Sequence, residues 1–282
     1  MPTLRIDGHV VKAREGATLL EAARQVGVHI PTLCHHEALE PWGGCRLCVV
    51  DITKPAWDGW AKLVVSCMYP AEEGLVVDTR SDRVKETRQV VLDLLLARSP
   101  DTPLVQQLAK EHGLEKTSYQ LSANPTDCIL CGLCTRICDH LGISAIAAVD
   151  RGAGREIAPP FHEAPPDCIG CLACAEICPT GYIEYETGDR ERVIWNKRFE
   201  MQRCKRCGRG QVTRDEAGYF GKRSGVPAGY FELCDKCKRE DLAKTAARLA
   251  VGRYHDDGAG ATAVAGDGGN GSYHSPARPK GL

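Results

Sequence analysis

Sixteen cysteines fall into four groups of four, at 34, 45, 48 and 67; 128, 131, 134 and 138; 168, 171, 174 and 178; and 204, 207, 234 and 237, with none left over. This arrangement constrains the chain more than any other feature. A disulfide framework has no reason to repeat Cys-x-x-Cys in this way, whereas a metal or cluster site with four ligands does. The N-terminus, MPTLRIDGHV, has no charged segment followed by an apolar one, so a secretory signal is not expected. No apolar run approaches the roughly 18 residues of a membrane-spanning helix, so membrane insertion is not expected either. A cytoplasmic location follows as the expectation, with thiols reduced and clustered cysteines binding metal.

The 282 residues predict two or more domains. A composition of 43% hydrophobic and 26% charged residues with net charge −1 is that of an ordinary globular chain, without bulk attraction to nucleic acid. The expected fold class is α+β. In residues 4–13, LRIDGHVVKA, two short strands are joined at Asp7-Gly8. Thr18 caps a helix through Leu19, Ala22, Ala23 and Val26 that ends at Gly27. The segments CVVDI at 48–52, KLVVSC at 62–67 and GLVVDT at 74–79 supply further strands of a β-grasp, ferredoxin-like domain over residues 1–80. A helical linker is expected over 81–124. Its first helix, 82–98, carries Val84, Val91, Leu94 and Leu95 and stops before Ser99-Pro100; a shorter one follows at 103–112. Residues 125–190 hold a repeated cysteine pattern, with DRGAGREIAPPFHEAPPD between the copies as a turn-rich connection. A four-cysteine module with a closing helix is expected over 191–252. The Gly-, Ala- and Ser-rich stretch 253–282 is expected to be a disordered tail.

CILCGLCTRIC (Cys128, Cys131, Cys134, Cys138) and CIGCLACAEICP (Cys168, Cys171, Cys174, Cys178) both read C-x2-C-x2-C-x3-C. Three thiolates at this spacing wrap one face of a [4Fe–4S] cube, and in two-cluster ferredoxins the fourth ligates the other cluster. The expected ligand sets are therefore Cys128, Cys131, Cys134 with Cys178, and Cys168, Cys171, Cys174 with Cys138. Gly132 and Gly170 are expected to let backbone approach the sulfurs. The first quartet, Cys34, Cys45, Cys48 and Cys67, reads C-x10-C-x2-C-x18-C. A plant-type [2Fe–2S] ferredoxin has C-x4-C-x2-C and a distant fourth cysteine. The first gap is longer here, but the host domain has the same β-grasp character, and Gly43-Gly44 suits a tight loop before Cys45.

The segment IPTLCHHEALEPWGGCRLCVVDI resembles the N-terminal [2Fe–2S] region of the large iron–sulfur subunit of respiratory complex I. Similar segments occur in [FeFe]-hydrogenases, in the diaphorase part of NAD-linked hydrogenases and in NAD-linked formate dehydrogenases. The resemblance covers roughly residues 1–190, in the order [2Fe–2S], helices, double [4Fe–4S]. Many members carry an extra cluster held by one histidine and three cysteines between the two modules. Residues 68–127 contain no cysteine, so His112 is expected to be a surface histidine.

The last quartet, Cys204, Cys207, Cys234 and Cys237, reads C-x2-C-x26-C-x2-C. Cys207-Gly208 suggests a rubredoxin-like knuckle, and both pairs are expected at strand turns. A zinc-ribbon-like site with structural zinc is the first reading, and a further [4Fe–4S] cluster is the second. Residues 196–244 carry 13 Lys and Arg against seven Asp and Glu, a docking face for an acidic partner rather than for nucleic acid. Trp42 and Trp57 are expected to be packing residues.

One [2Fe–2S], two [4Fe–4S] and a structural zinc therefore make the expected cofactor inventory. No catalytic residue and no flavin, nicotinamide or substrate pocket is evident. The resemblance implies an iron–sulfur electron-transfer subunit of a multi-subunit oxidoreductase. Its expected partners are a flavin-containing NAD(P)H dehydrogenase-type subunit and a catalytic redox subunit, either a hydrogenase or a molybdenum or tungsten enzyme. Two alternatives are a succinate dehydrogenase or fumarate reductase-type iron–sulfur subunit, which would show the short C-x4-C spacing, and a zinc-ribbon nucleic-acid-binding protein.

Overall fold

The computed structural model describes residues 1–223 and 225–256. They fall into two compact units, one from Met1 to Cys234 and one from Asp235 onward.

The chain begins with the expected hairpin: β1 (Thr3–Ile6) pairs antiparallel with β2 (His9–Lys12). Asp7 and Gly8 both take positive φ, as a two-residue turn matching strand twist requires. Helix α1 (Leu19–Gln25) opens with a capping box in which the Thr18 side chain accepts from Glu21 N–H and Glu21 accepts from Thr18 N–H. β3 (Val49–Thr53), β4 (Lys62–Val65) and β5 (Val76–Asp78) complete a five-stranded sheet of order β2-β1-β5-β3-β4. The β1–β5 pair is parallel and the others are antiparallel. Leu19, Leu20, Ile52, Leu75 and Val77 bury almost completely between helix and sheet. Cys48 and Cys67 lie in the wall of the same core.

α2 (Asp82–Arg98) is capped by Ser81 and stops at Ser99, before Pro100. Its buried face runs Val84, Arg88, Leu92 and Leu96, one helical turn apart. The expected apolar face therefore needs correction: Leu94 is exposed, and Arg88 takes a core position because strand carbonyls receive its guanidinium. α3 (Pro103–Glu111) packs on α2 and ends at Gly113, which takes positive φ. His112 is half-buried, with Nδ1 2.9 Å from Leu108 O.

α4 (Leu133–His140) carries Cys134 and Cys138. The connection that follows is more ordered than expected, because β6 (Ala147–Val149) and β7 (Glu156–Ala158) form an antiparallel hairpin. α5 (Ala173–Glu176) carries Cys174. β8 (Tyr185–Thr187), β9 (Glu191–Ile194), β10 (Lys197–Arg203) and β11 (Gly210–Thr213) then form an antiparallel meander. This sheet runs across the boundary expected at 190, since Tyr185 pairs with Ile194. α6 (Arg214–Gly221) follows, with a Thr213/Glu216 capping box.

The second unit holds α7 (Asp235–Asp256). Residues 253–256, expected in the tail, are the last turn of this helix; the remainder of that expectation, 257–282, lies outside the described residues. None of the described helices is long and apolar enough to cross a membrane.

Candidate metal centres

The first quartet is assembled by the loop before β3 and the end of β4. Cys45 N–H donates to Cys34 Sγ at 3.3 Å, and Cys48 Sγ stands 3.4 Å from Cys67 Sγ. Within each pair the sulfurs share a proton unequally. The Cys34 thiol holds Cys45 down to about 5, and the Cys67 thiol holds Cys48 down to about 7. Their partners Cys34 and Cys67 are pushed up by the same bonds and by burial. Gly43 takes positive φ, and a Cβ there would meet Met68 Sδ at 2.4 Å, while one at Gly44 would meet the Trp42 ring at 2.6 Å. Behind this loop lies Arg88, a buried cation that sequence reading did not single out. Its Nε donates to Leu47 O at 3.2 Å and its Nη2 to Val49 O at 2.8 Å, tying α2 to the cysteine loop.

The two repeat loops share one backbone form. In the first, Leu130 and Gly132 take positive φ; in the second, the equivalent residues Gly170 and Leu172 do. Alternating left-handed residues turn successive N–H groups inward, a concavity suited to anionic sulfur. The N–H groups of Leu130, Leu133, Gly170 and Ala173 accordingly lower the thiols of Cys128, Cys131, Cys168 and Cys171 against the dominant effect of burial, which raises them. Burial pushes Cys134 and Cys174 up to about 12.

The fourth cysteine of each repeat faces the other loop. The charge of Cys178 acts on Cys128 and Cys131, and that of Cys138 acts on Cys168, Cys171 and Cys174. Cys138, Cys168, Cys171 and Cys174 line one small cavity together. Ala145 N–H donates to Cys138 Sγ at 3.3 Å, and Cys178 Sγ lies 3.5 Å from Thr180 Oγ1.

Each loop is held by a different neighbour. Trp42 lies over Gly132, where a Cβ would approach its ring to 2.9 Å. The Arg136 guanidinium stacks 5.5 Å from that ring and donates to Cys34 O at 2.9 Å and to Glu40 O, so it ties α4 to the first quartet's loop. Cys45 and Cys131 border one apolar cluster around Leu47, Leu92 and Ile129. Over the second loop lies Phe199 of β10, 2.9 Å from a Cβ placed on Gly170. Arg192 Nη1 donates to Gly170 O at 2.6 Å and pairs with Glu216, while Thr213 Oγ1 donates to Ile169 O at 2.5 Å. Burial raises the Glu216 carboxyl despite that pairing. The space above both glycines is thus filled by aromatic rings, a second reason for glycine beside the approach of Gly170 N–H to the Cys168 sulfur.

Cys204, Cys207, Cys234 and Cys237 offer sulfurs that all lie within 4.8 Å of one another, with Cys207 and Cys234 3.6 Å apart. Cys204 and Cys207 occupy the β10–β11 turn as expected, closed by Gly208 at positive φ. The N–H groups of Cys207 and then Cys234 hold the Cys204 thiol down to about 6. The second pair is not at a strand turn: Cys234 precedes α7 and Cys237 sits in its first turn.

Residues 1–82 match the family described as 2Fe-2S iron-sulfur cluster binding domain. The N-terminal segment is such a domain. The chain is 28% identical over 240 residues to a subunit of the NADH-quinone oxidoreductase of Rhizobium meliloti (strain 1021), covering 76% of this chain and 27% of the relative. It is 33% identical to NADP-reducing hydrogenase subunit HndD of Solidesulfovibrio fructosivorans, over 66% of this chain and 36% of the relative. The chain thus spans roughly a quarter to a third of these relatives' lengths. Among solved structures, a chain of the NAD+-reducing [NiFe]-hydrogenase in the H2-reduced state aligns with a TM-score of 0.55 and 29% identity, over 64% of this chain and 86% of that chain. The resemblance carried by the segment from Ile30 to Ile52 is borne out, and it places the chain among relatives of these oxidoreductase subunits.

Proposed function

We propose that the chain is an electron-relay subunit of a multi-subunit oxidoreductase. It would hold a [2Fe–2S] cluster on Cys34, Cys45, Cys48 and Cys67. One [4Fe–4S] cluster would sit on Cys128, Cys131, Cys134 and Cys178, and another on Cys168, Cys171, Cys174 and Cys138. The crossed proximity of Cys178 to the first loop and Cys138 to the second is the observation that carries this reading. Such clusters, when bound, pass single electrons.

The chain's own residues serve that task by position. Soft thiolates converge in buried and half-buried loops, and inward N–H groups compensate their charge. The apolar cluster bordered by Cys45 and Cys131 brings the [2Fe–2S] domain against the first repeat without an intervening site. Cys134, Cys138, Cys168 and Cys174 border the next apolar cluster, so ligands of successive sites adjoin along the chain.

For the last quartet the sulfur spacing supports zinc. Four thiolates at about 2.3 Å from one tetrahedral ion stand about 3.8 Å apart, close to the 3.6 Å between Cys207 and Cys234. A cubane binds each thiolate at a separate corner iron and spreads them farther. The partners proposed from the relatives are a flavin-containing NAD(P)H-oxidising subunit and a hydrogenase or similar low-potential catalytic subunit.

Metal analysis after anaerobic purification tests the whole reading. About ten irons and one zinc per chain are expected. About fourteen irons without zinc would move the last quartet to a third [4Fe–4S] cluster, and iron near two would remove both repeat clusters.

A further inference from the structure

Two polar side-chain atoms at the cysteine sites, Ser66 Oγ and Trp195 Nε1, are sealed from solvent with no oxygen or nitrogen partner among the described residues, and each lies against a thiol, Cys48 and Cys174 respectively. Ser66 is 0% exposed, and its backbone is already committed, with its N–H donating to Cys48 O at 3.0 Å and its carbonyl accepting from Leu20 N–H at 3.0 Å. Its hydroxyl lies against the Cys48 sulfur, whose Sγ is 3.4 Å from that of Cys67. The Trp195 ring helps line the small cavity shared by Cys138, Cys168, Cys171 and Cys174. Leaving a buried donor unpaired is costly, and native structures rarely keep one without use. The acceptors on offer in both places are cysteine sulfurs.

We infer that the Ser66 hydroxyl and the Trp195 indole N–H donate hydrogen bonds to ligand sulfur, of the N-terminal quartet and of the Cys138/Cys168/Cys171/Cys174 set respectively. Each thereby raises the reduction potential of the cluster it serves. This rests on the cluster reading proposed above. A donor at a ligand sulfur withdraws electron density and favours the more negative, reduced state. The remaining set differs: Thr180 Oγ1, 3.5 Å from Cys178 Sγ, is half-buried and within reach of water. Potentials would thus be adjusted at the two ends of the three-cluster series by donors that solvent cannot replace.

The test is a redox titration followed by electron paramagnetic resonance on the full chain with its clusters, comparing Ser66→Ala and Trp195→Phe with the unaltered protein. Ser66→Ala should make the [2Fe–2S] cluster alone harder to reduce, by three- to tenfold in the reduction equilibrium, where tenfold is 59 mV for one electron. Trp195→Phe should do the same to one [4Fe–4S] cluster alone. Ser66→Thr and Trp195→His, which keep a donor, should stay within about twofold of the unaltered protein. Assembled clusters with unmoved potentials, or equal shifts at all three, overturn the inference while leaving the cluster reading intact. Absence of clusters from the unaltered protein overturns both. Should Ser66→Ala or Trp195→Phe fail to take up iron, Ser66→Gly replaces the first. For the second, tryptophan labelled with nitrogen-15 should show hyperfine coupling to the reduced second [4Fe–4S] cluster, and its absence overturns the Trp195 assignment.

Discussion

The two C-x2-C-x2-C-x3-C loops have one cysteine spacing and one backbone form, yet they place glycine differently. Each needs two left-handed residues, and each uses one glycine and one leucine. The first loop has Leu130 and Gly132, the second Gly170 and Leu172. A leucine in that conformation costs about 1–2 kcal/mol, so glycine would be favoured at all four positions on backbone grounds alone. The neighbours decide which position has glycine. Trp42, from the N-terminal domain, occupies the space over Gly132, and Phe199, from the β8–β11 sheet, occupies the space over Gly170. Leu172 and Leu130 meanwhile contribute apolar surface to the core around the cysteines. The repeat is thus symmetric in its ligands and asymmetric in its attachments, one loop facing each flanking domain.

That asymmetry is open to attack, beginning with the second loop. Arg192 is a buried cation bonded to Gly170 O and Gln211 O and paired with the half-buried Glu216. Replacing it by methionine leaves an uncompensated carboxylate and free carbonyls, and should cost about 3–5 kcal/mol. Anaerobic guanidinium unfolding read by iron–sulfur absorbance checks this; a loss below about 1 kcal/mol would mean that the sheet does not hold the loop.

Gly170→Ala should come next, at about 2–4 kcal/mol, combining left-handed strain with overpacking. Phe199 is 3% exposed and has nowhere to move. The same substitution at Gly132 should cost only about 1–2 kcal/mol, because Trp42 is 45% exposed and can swing outward. A Trp42→Ala change made together with Gly132→Ala should recover the overpacking part, whereas Trp42→Ala should do nothing for Gly170→Ala. Equal costs at the two glycines would break the comparison.

The smallest effect is expected at Arg136. Its bonds to Cys34 O and Glu40 O and its stacking on Trp42 are partly open to solvent. Arg136→Met should lower stability by about 1 kcal/mol. It should also speed hydrogen exchange in the 34–45 loop, measured by mass spectrometry, and leave the 168–178 loop unchanged.

Local order was legible wherever neighbours in the chain carry the information. The Asp7-Gly8 turn, the Thr18 cap, the 82–98 helix with its stop before Pro100, and the knuckle at Cys207-Gly208 all follow from bonds spanning a few residues. Where contacts come from far along the chain, sequence reading was wrong or silent. Leu94 turns outward, and Arg88 turns inward to carbonyls about 40 positions away. Cys234 and Cys237 were expected at a strand turn and lie at the start of α7, because two cysteines two residues apart suit a helix's first turn as well as a loop. Ser66 and Trp195 look unremarkable in the sequence, since only tertiary burial removes every partner except sulfur.

The sequence by itself determined the sixteen cysteines, their division into four quartets and the β-grasp character of the first domain. Thiolate spacing and strand-turn chemistry are short-range properties, and a linear pattern can state them in full. Only the tertiary structure decided that an aromatic from each flanking domain selects the glycine beneath it, and that Cys45 and Cys131 border a common apolar cluster. These depend on burial between segments 30 to 100 residues apart, where packing outweighs the preferences of any single residue.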